Sequence, residues 1–178
     1  GRRRTTVYHT PFGDTSMVNQ FDETSQAWHP VEFPVRDLRT LKLMTAFFED
    51  TRAELDEGRL ATAVETVERV GNRAMTFAGI GESPLMYFVE WLAGIENSHL
   101  LLADYPDETG ALFAAVHRLL MQKAVILAQH SPTDVLYMIE NTSTTLISPD
   151  QYRTYCYPHI LDYGEITREH NRVLMLHM

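Results

Sequence analysis

Three near-continuous apolar runs, each followed by a polar cluster, constrain this chain more than any other feature. The runs cover residues 73–80, 134–139 and 172–176, and the polar residues that follow them lie at 81–83, 140–142 and 177. Apolar runs separated by helical stretches are typical of parallel strands that are buried on both faces. Functional side chains in such sheets gather at the carboxyl ends of the strands. The polar clusters are therefore expected along one edge of a parallel sheet.

The composition indicates one ordinary globular unit with an acidic surface. The chain has 178 residues, of which 44% are hydrophobic and 22% charged, which is enough to bury a substantial core. Its formal net charge of -9 argues against a nucleic acid or an anionic membrane as the main partner. A single cysteine, Cys156, excludes an intrachain disulfide and fits a reducing compartment. There is no signal-peptide pattern and no apolar run of roughly 18 residues, so we expect a cytoplasmic protein without a membrane span.

The two ends of the sequence predict an internal piece of a longer protein. The chain starts at Gly1 without an initiator methionine, and it stops at Met178 in or beside an apolar strand that no helix follows. Exposed sheet edges in such a piece would favour association into a homo-oligomer.

The order of elements changes along the chain. Residues 5–35 hold β-type segments broken by proline and glycine, which predict a small antiparallel excursion. Helical spacing of apolar residues covers 37–48 and resumes over 61–70. From residue 73 onward the pattern predicts strand, helices, strand, helix, strand, with Ser148 as the N-cap of the last helix. Repeating units of this kind close into a barrel or open into a doubly wound sheet.

The polar residues after the apolar runs are the candidate catalytic groups. Glu82 follows the flexible backbone segment Gly-Ile-Gly, which lets its carboxylate face a ligand. The alternative is a simple turn with a solvated carboxylate. Glu140 and Asn141 open a polar loop that offers many hydrogen-bond donors and acceptors, and ordinary loop capping is the competing interpretation. His177 has the chemistry of a metal ligand, an acid or a base, but a lone histidine is usually structural.

The remaining histidines are interpreted as surface or packing residues because their spacing does not match known metal-ligand patterns. They are His9, His29, His99, His117, His130, His159 and His170. The chain also lacks a glycine-rich phosphate loop, an HExxH motif, a GxSxG elbow and a CxxC pair. Nucleotide use and serine-hydrolase chemistry are therefore disfavoured.

Three segments taken together resemble the uroporphyrinogen decarboxylase superfamily, which also contains zinc-dependent methyltransferases that act on methylated corrinoid proteins. They are GIGESPLMYFVE at 79–90, ENTSTTLISPDQY at 140–152 and VLMLHM at 173–178. The resemblance covers most of the chain and is best defined over 73–178. It implies an α/β fold that is part of a (β/α)8 TIM barrel, with residues 1–178 as a single partial barrel domain. Both ends of the barrel would be missing, since a full barrel takes roughly 250 residues.

The resemblance also implies roles for individual residues. Tyr87 looks like the tyrosine that reaches the tetrapyrrole pocket in the decarboxylases. Thr142 falls where they carry a pocket serine, with Asn-Thr in place of the family's Asp-Ser. His177 matches the first residue of the His-x-Cys zinc motif of the methyltransferase branch. Zinc is thus implied in the complete protein if it is a methyltransferase, whereas a decarboxylase needs no cofactor.

Three functions remain open on this basis. The first is zinc-dependent methyl transfer from a methylated corrinoid to a thiol or similar acceptor, which His177 and the altered loops favour. The second is decarboxylation of uroporphyrinogen III in tetrapyrrole (heme) biosynthesis. The third is a non-catalytic binding domain that kept the edge of the barrel. The first two are enzymes, and their expected substrates are a corrinoid protein and a free tetrapyrrole respectively.

Overall fold

A computed structural model describes residues 1–178 and contains six strands and seven α-helices. The strands are β1 (Arg3–Thr10), β2 (Gly13–Asp22), β3 (Ala27–Glu32), β4 (Phe77–Gly81), β5 (Val135–Ile139) and β6 (Val173–His177). The helices are α1 (Leu38–Asp50), α2 (Glu57–Val70), α3 (Pro84–Tyr87), α4 (Ile95–Asp104), α5 (Pro106–His130), α6 (Pro149–Tyr155) and α7 (Tyr157–Glu169). A 3-10 turn, Gly71–Arg73, precedes β4, and a π-helical segment, Phe88–Ala93, follows α3.

The chain divides into two compact units. The first combines Gly1–Thr51 with Tyr87–Val116, and the second combines Arg52–Met86 with His117–Met178. One of the three boundaries follows α1, between Thr51 and Arg52, and the other two fall within α3 and α5, so each of these two helices contributes to both units. Each unit contains one three-stranded sheet.

The sheet of the first unit is antiparallel and runs in the order β1-β2-β3. This confirms the antiparallel excursion predicted for residues 5–35. Helix α1 begins after Asp37, whose side chain accepts a hydrogen bond from the backbone N–H of Thr40 while the Thr40 hydroxyl completes a capping box. The apolar face of α1 buries Leu41, Met44 and Phe48, as the helical spacing predicts.

The sheet of the second unit is parallel and runs in the order β4-β5-β6. Val135 of β5 pairs with Phe77 of β4 on one side and with Val173 of β6 on the other. The prediction that the three apolar runs form adjacent parallel strands is therefore confirmed. The expectation that all three are buried on both faces is wrong for the outer strands, since Phe77 and Val173 are exposed.

The predicted fold class, part of a (β/α)8 barrel, is wrong. The molecule has two separate three-stranded sheets, one antiparallel and one parallel, and no closed barrel. The physical reason is that a βα repeat specifies parallel pairing but not closure. Closure takes about eight tilted strands, and the second unit supplies only three. The fold is a small α/β fold.

Helix α5 is long and apolar enough to cross a membrane when judged by length and composition alone. This is weak support for a membrane span, because the core helix of a globular protein meets the same criterion. In its most apolar window 39% of the residues are buried inside the protein, among them Leu112, Val116 and Leu120. The predicted absence of a membrane partner stays a prediction.

Gly94, in the first unit, has a backbone conformation that other residues rarely adopt, and its substitution tests this. Its φ of 78° and ψ of 166° lie where essentially only glycine is found, and an added Cβ would come 2.8 Å from the ring of Phe33. We expect Gly94→Ala to lower the free energy of unfolding by about 1–3 kcal/mol in urea titrations.

Gly110 is the matched control for that substitution. It lies within α5, and an added Cβ would meet nothing within 4 Å. Gly110→Ala is expected to raise the stability by roughly 0.5–1 kcal/mol, because alanine restricts the unfolded chain. Equal effects of the two substitutions would contradict the role assigned to the Gly94 conformation.

Candidate functional site

The carboxyl ends of β4, β5 and β6 meet along one edge of the parallel sheet. Glu82 follows β4, Glu140 and Asn141 follow β5, and His177 is the last residue of β6. The backbone N–H groups of Glu140 and Asn141 both donate to the carbonyl oxygen of His177, at 2.8 and 3.1 Å. Asn141 adopts a φ of 48°, a left-handed conformation that asparagine tolerates better than most residues. The main chain therefore brings three of the predicted residues together.

The side chains at this edge lie in different environments. Glu140 is completely buried, Glu82 is half-buried and His177 is exposed. The Glu140 carboxyl accepts hydrogen bonds from the backbone N–H of Ser83 at 2.8 Å and from the Ser83 hydroxyl at 2.5 Å. Ser83 belongs to the loop between β4 and α3, so this buried pair ties the end of β5 to the end of β4. Glu140 thus stabilises the edge from within and is closed to solvent.

Burial controls the ionisation of this carboxyl. It raises the pKa of Glu140 to about 7, against the opposing effect of the hydrogen bonds from Ser83, and the charge of Glu82 raises it further. Glu140 therefore keeps its proton to a higher pH than an exposed glutamate does. Cys156 lies beside it, and burial together with the neighbouring carboxylate raises the pKa of that thiol to about 12. Cys156 is consequently a protonated thiol at neutral pH and a poor nucleophile.

A cavity of about 480 Å³ opens beside the loop that follows β5. It is largely apolar, and its walls come from that loop, from α6 and from the end of the chain. The lining residues are Thr142, Ser143, Thr144, Ile147, Ser148, Pro149, Tyr152, Arg153, Tyr157 and Met178. The hydroxyl of Thr142 is buried without a hydrogen-bond partner.

Helix α6 forms one wall of this cavity because its start is fixed locally. The Ser148 hydroxyl accepts from the backbone N–H of Gln151, and the Gln151 side chain accepts from the backbone N–H of Ser148. Pro149 occupies the first turn of the helix. The predicted N-cap at Ser148 is confirmed, but the single last helix predicted to start there is two helices, α6 and α7, which meet at Cys156.

The sequence-predicted site residues are only partly brought together. Thr142 lines the cavity, whereas Glu82, Asn141 and His177 are not among its lining residues. Their convergence on one cavity stays a prediction. Tyr87 belongs to the first unit, where its ring packs edge-to-face against Phe48 with centroids 6.0 Å apart. Its role in binding a tetrapyrrole also stays a prediction.

A second cluster of reactive side chains lies in the second unit, and the sequence analysis missed it. His117 of α5 and His159 and Asp162 of α7 each offer one ligand atom, and these atoms all lie within 4.8 Å of one another. Nε2 of His117 is 3.0 Å from Oδ2 of Asp162, and its Nδ1 is 2.9 Å from the hydroxyl of Tyr163. The one local signal is the spacing of His159 and Asp162, because residues three apart share a helix face.

Burial keeps the two imidazoles of this cluster neutral. It lowers the pKa of His117, although the nearby Asp162 carboxylate opposes the shift. Burial and the proximity of His117 together lower the pKa of His159 to about 4. The treatment of both residues as ordinary surface or packing histidines is too simple, since they share one half-buried site with a carboxylate.

Comparisons with known proteins add no family to these observations. No model of a protein family matches this chain, and a search of curated proteins finds no match. The resemblance to the uroporphyrinogen decarboxylase superfamily therefore rests on the three quoted segments and stays a prediction.

The pKa of Glu140 predicts how stability depends on pH. The native carboxyl keeps its proton up to about pH 7, whereas the unfolded chain loses it near the ordinary value of 4.5. The native state therefore binds more protons between these values, and stability falls as the pH rises through them. Glu140→Gln mimics the protonated carboxyl and cannot ionise. In urea titrations, the free energy of unfolding of the variant relative to that of the wild type should therefore be higher at pH 8 than at pH 5, by on the order of 1–3 kcal/mol.

Glu68→Gln is the control, since Glu68 is an exposed carboxylate on α2 of the same unit. It should leave the pH dependence of the wild type unchanged. Parallel pH profiles for wild type and Glu140→Gln would show that Glu140 does not ionise in this range.

Proposed function

We propose that this chain is part of an enzyme that binds a tetrapyrrole at the carboxyl edge of its parallel sheet and transfers a methyl group from a methylated corrinoid to a thiol or similar acceptor. The observation that carries the proposal is the cavity beside Thr142, at the loop where the sequence resembles the tetrapyrrole enzymes. Its volume of about 480 Å³ lies within the range of roughly 300–1,000 Å³ that is typical of small-molecule sites.

The chemistry of the cavity suits a tetrapyrrole. Such a molecule combines a broad apolar macrocycle with acidic or amide side chains at its rim. The aromatic rings of Tyr152 and Tyr157 supply apolar contact area for the macrocycle. Thr142 lines the cavity, and its unpartnered hydroxyl would supply a polar contact once a small shift of the loop exposes it, while the guanidinium of Arg153 suits a carboxylate. These residues would bind and orient the substrate.

The residues present at this edge do not form a zinc site. His177 is an exposed single imidazole, and the one group of three metal-ligating side chains within 4.8 Å lies elsewhere, on α5 and α7. A catalytic zinc site needs about three protein ligands. The residues present at this edge therefore do not supply zinc chemistry at His177.

Decarboxylation of a tetrapyrrole acetate group is the second candidate, and Arg153 is the observation that favours it. Its side chain is 70% exposed and pairs with Asp150 at 2.9 Å across one turn of α6. Exposed pairs of this kind contribute about 0–1 kcal/mol, so a substrate carboxylate can displace Asp150 at little cost. This reaction needs no metal. The replacement of the decarboxylase Asp-Ser by Asn141-Thr142 counts against it, because a carboxylate is lost next to the pocket.

Ligand binding tests the site itself. Methylcobalamin and uroporphyrin III, a stable oxidised form of the decarboxylase substrate, would be titrated against the intrinsic fluorescence of the protein. We expect Arg153→Gln to weaken uroporphyrin binding by roughly tenfold to a hundredfold, because a charged hydrogen bond contributes roughly 1.5–3 kcal/mol. Thr142→Val should lower the affinity for both ligands, by a smaller factor.

Arg168→Gln is a closely matched control for Arg153→Gln. Arg168 is exposed and pairs with Glu165 across one turn of α7, as Arg153 does with Asp150 on α6, but it does not line the cavity. It should leave both affinities unchanged. Equal losses in the two arginine variants would indicate non-specific attraction between the ligand and basic side chains.

Turnover separates the candidate functions. Loss of the methyl group from methylcobalamin in the presence of a thiol supports methyl transfer, and release of carbon dioxide from uroporphyrinogen III supports decarboxylation. Binding without either reaction would favour the non-catalytic binding domain. If neither tetrapyrrole binds the wild-type chain, the proposal is wrong.

A further inference from the structure

We infer that His117, His159 and Asp162 form a binding site for a divalent transition-metal ion, with zinc the best match. All three residues belong to the second unit, and none of them lines the cavity beside Thr142. The inference is independent of the proposed function.

The ligand atoms are already close to the spacing that a metal requires. Zinc binds nitrogen and oxygen ligands at roughly 2.0–2.2 Å, so two ligand atoms on one ion lie about 3–3.5 Å apart. Nε2 of His117 and Oδ2 of Asp162 are 3.0 Å apart, which is within this spacing. The atoms of the whole group lie within 4.8 Å, so His159 needs a shift on the order of 1 Å to complete the set.

The sequence places two of the three ligands on one helix face. His159 and Asp162 are three residues apart on α7, and residues at this spacing project from the same side of a helix. His117 comes from α5, so binding would join two helices of the second unit.

Tyr163 holds His117 in the orientation that binding needs. Its buried hydroxyl lies 2.9 Å from Nδ1 of His117. With this nitrogen occupied, Nε2 is the atom directed to Asp162. Metal-binding histidines usually have their second nitrogen fixed by such a partner, which sets both the tautomer and the ring orientation.

His159 is the residue that hydrogen bonding alone leaves unexplained. A chain of contacts from Tyr163 through His117 to Asp162 accounts for the other side chains without any ion. Nδ1 of His159, however, is buried without a hydrogen-bond partner, and the ring lies with its centroid 4.2 Å from that of His117. Buried polar atoms are rarely left unpaired. A metal ion bound to the imidazole of His159 would give this half-buried ring the polar partner that the protein does not supply.

The donor set indicates the kind of ion. Two imidazoles and one carboxylate suit zinc and similar transition metals, whereas magnesium and calcium favour oxygen ligands. Three protein ligands leave a fourth position for water, as in catalytic or exchangeable sites, and the side chain of Asp162 is 46% exposed, so solvent reaches the cluster.

Metal binding to the 178-residue chain tests the inference. Cobalt(II) would be added first, because its visible absorption reports four-coordinate binding, and zinc would then displace it. We expect one equivalent of cobalt to bind. His159→Ala and Asp162→Asn should each weaken binding by tenfold or more, and Tyr163→Phe by about tenfold through loss of the orienting hydroxyl.

Two histidine variants serve as controls. His130→Ala removes an exposed imidazole from the end of α5, and His177→Ala removes the one at the end of β6. Neither should change the cobalt spectrum or the affinity. Asp162→Asn preserves the shape of the side chain, so it provides the measurement if His159→Ala does not fold by circular dichroism.

The inference is wrong if the wild type binds neither cobalt nor zinc in stoichiometric amount, or if the His159 and Asp162 variants bind as tightly as the wild type. Loss of binding in His177→Ala alone would place the ion at the sheet edge instead. Uroporphyrin and methylcobalamin titrations of the His159 and Asp162 variants should match the wild type, which separates this site from the tetrapyrrole cavity.

Discussion

The buried contact between Glu140 and Ser83 is the interaction on which the candidate edge of the second unit depends. It joins the residue after β5 to the loop after β4, and the backbone of Glu140 also binds the last residue of β6. One residue therefore connects the ends of all three parallel strands. Thr142, which lines the cavity, lies two residues further along the same loop. A carboxyl closed to solvent is a costly way to make such a connection, and its raised pKa reflects that cost.

The sequence predicted the local elements well because short-range physics determines them. The apolar runs around Leu136 and Leu174 specify strands, and their parallel pairing follows from the helices between them. Ser148 caps α6 through atoms only three residues away. Closure into a barrel was beyond such reasoning, since a repeat of strand and helix does not state how many strands a sheet will have.

The surroundings of the predicted site residues were harder to predict, for a related reason. Glu140 was correctly placed at the strand end, but the pattern could not show that its carboxyl turns inward to Ser83 and is closed to solvent. The grouping of His117 with His159 and Asp162 depends on how α5 and α7 pack, and residues far apart in sequence give no periodic signal of such packing. Chemistry that arises within one loop was accessible from the sequence, whereas chemistry assembled between helices was not.

Cys156 has a practical consequence for experiments on this protein. The only thiol in the chain is buried at the junction of α6 and α7, and its raised pKa keeps the reactive thiolate scarce. Alkylating reagents and peroxides therefore reach it only when this junction opens, because a buried, protonated thiol reacts slowly. The rate at which a thiol reagent labels the native protein measures how often the helices beside Glu140 separate, without any engineered probe.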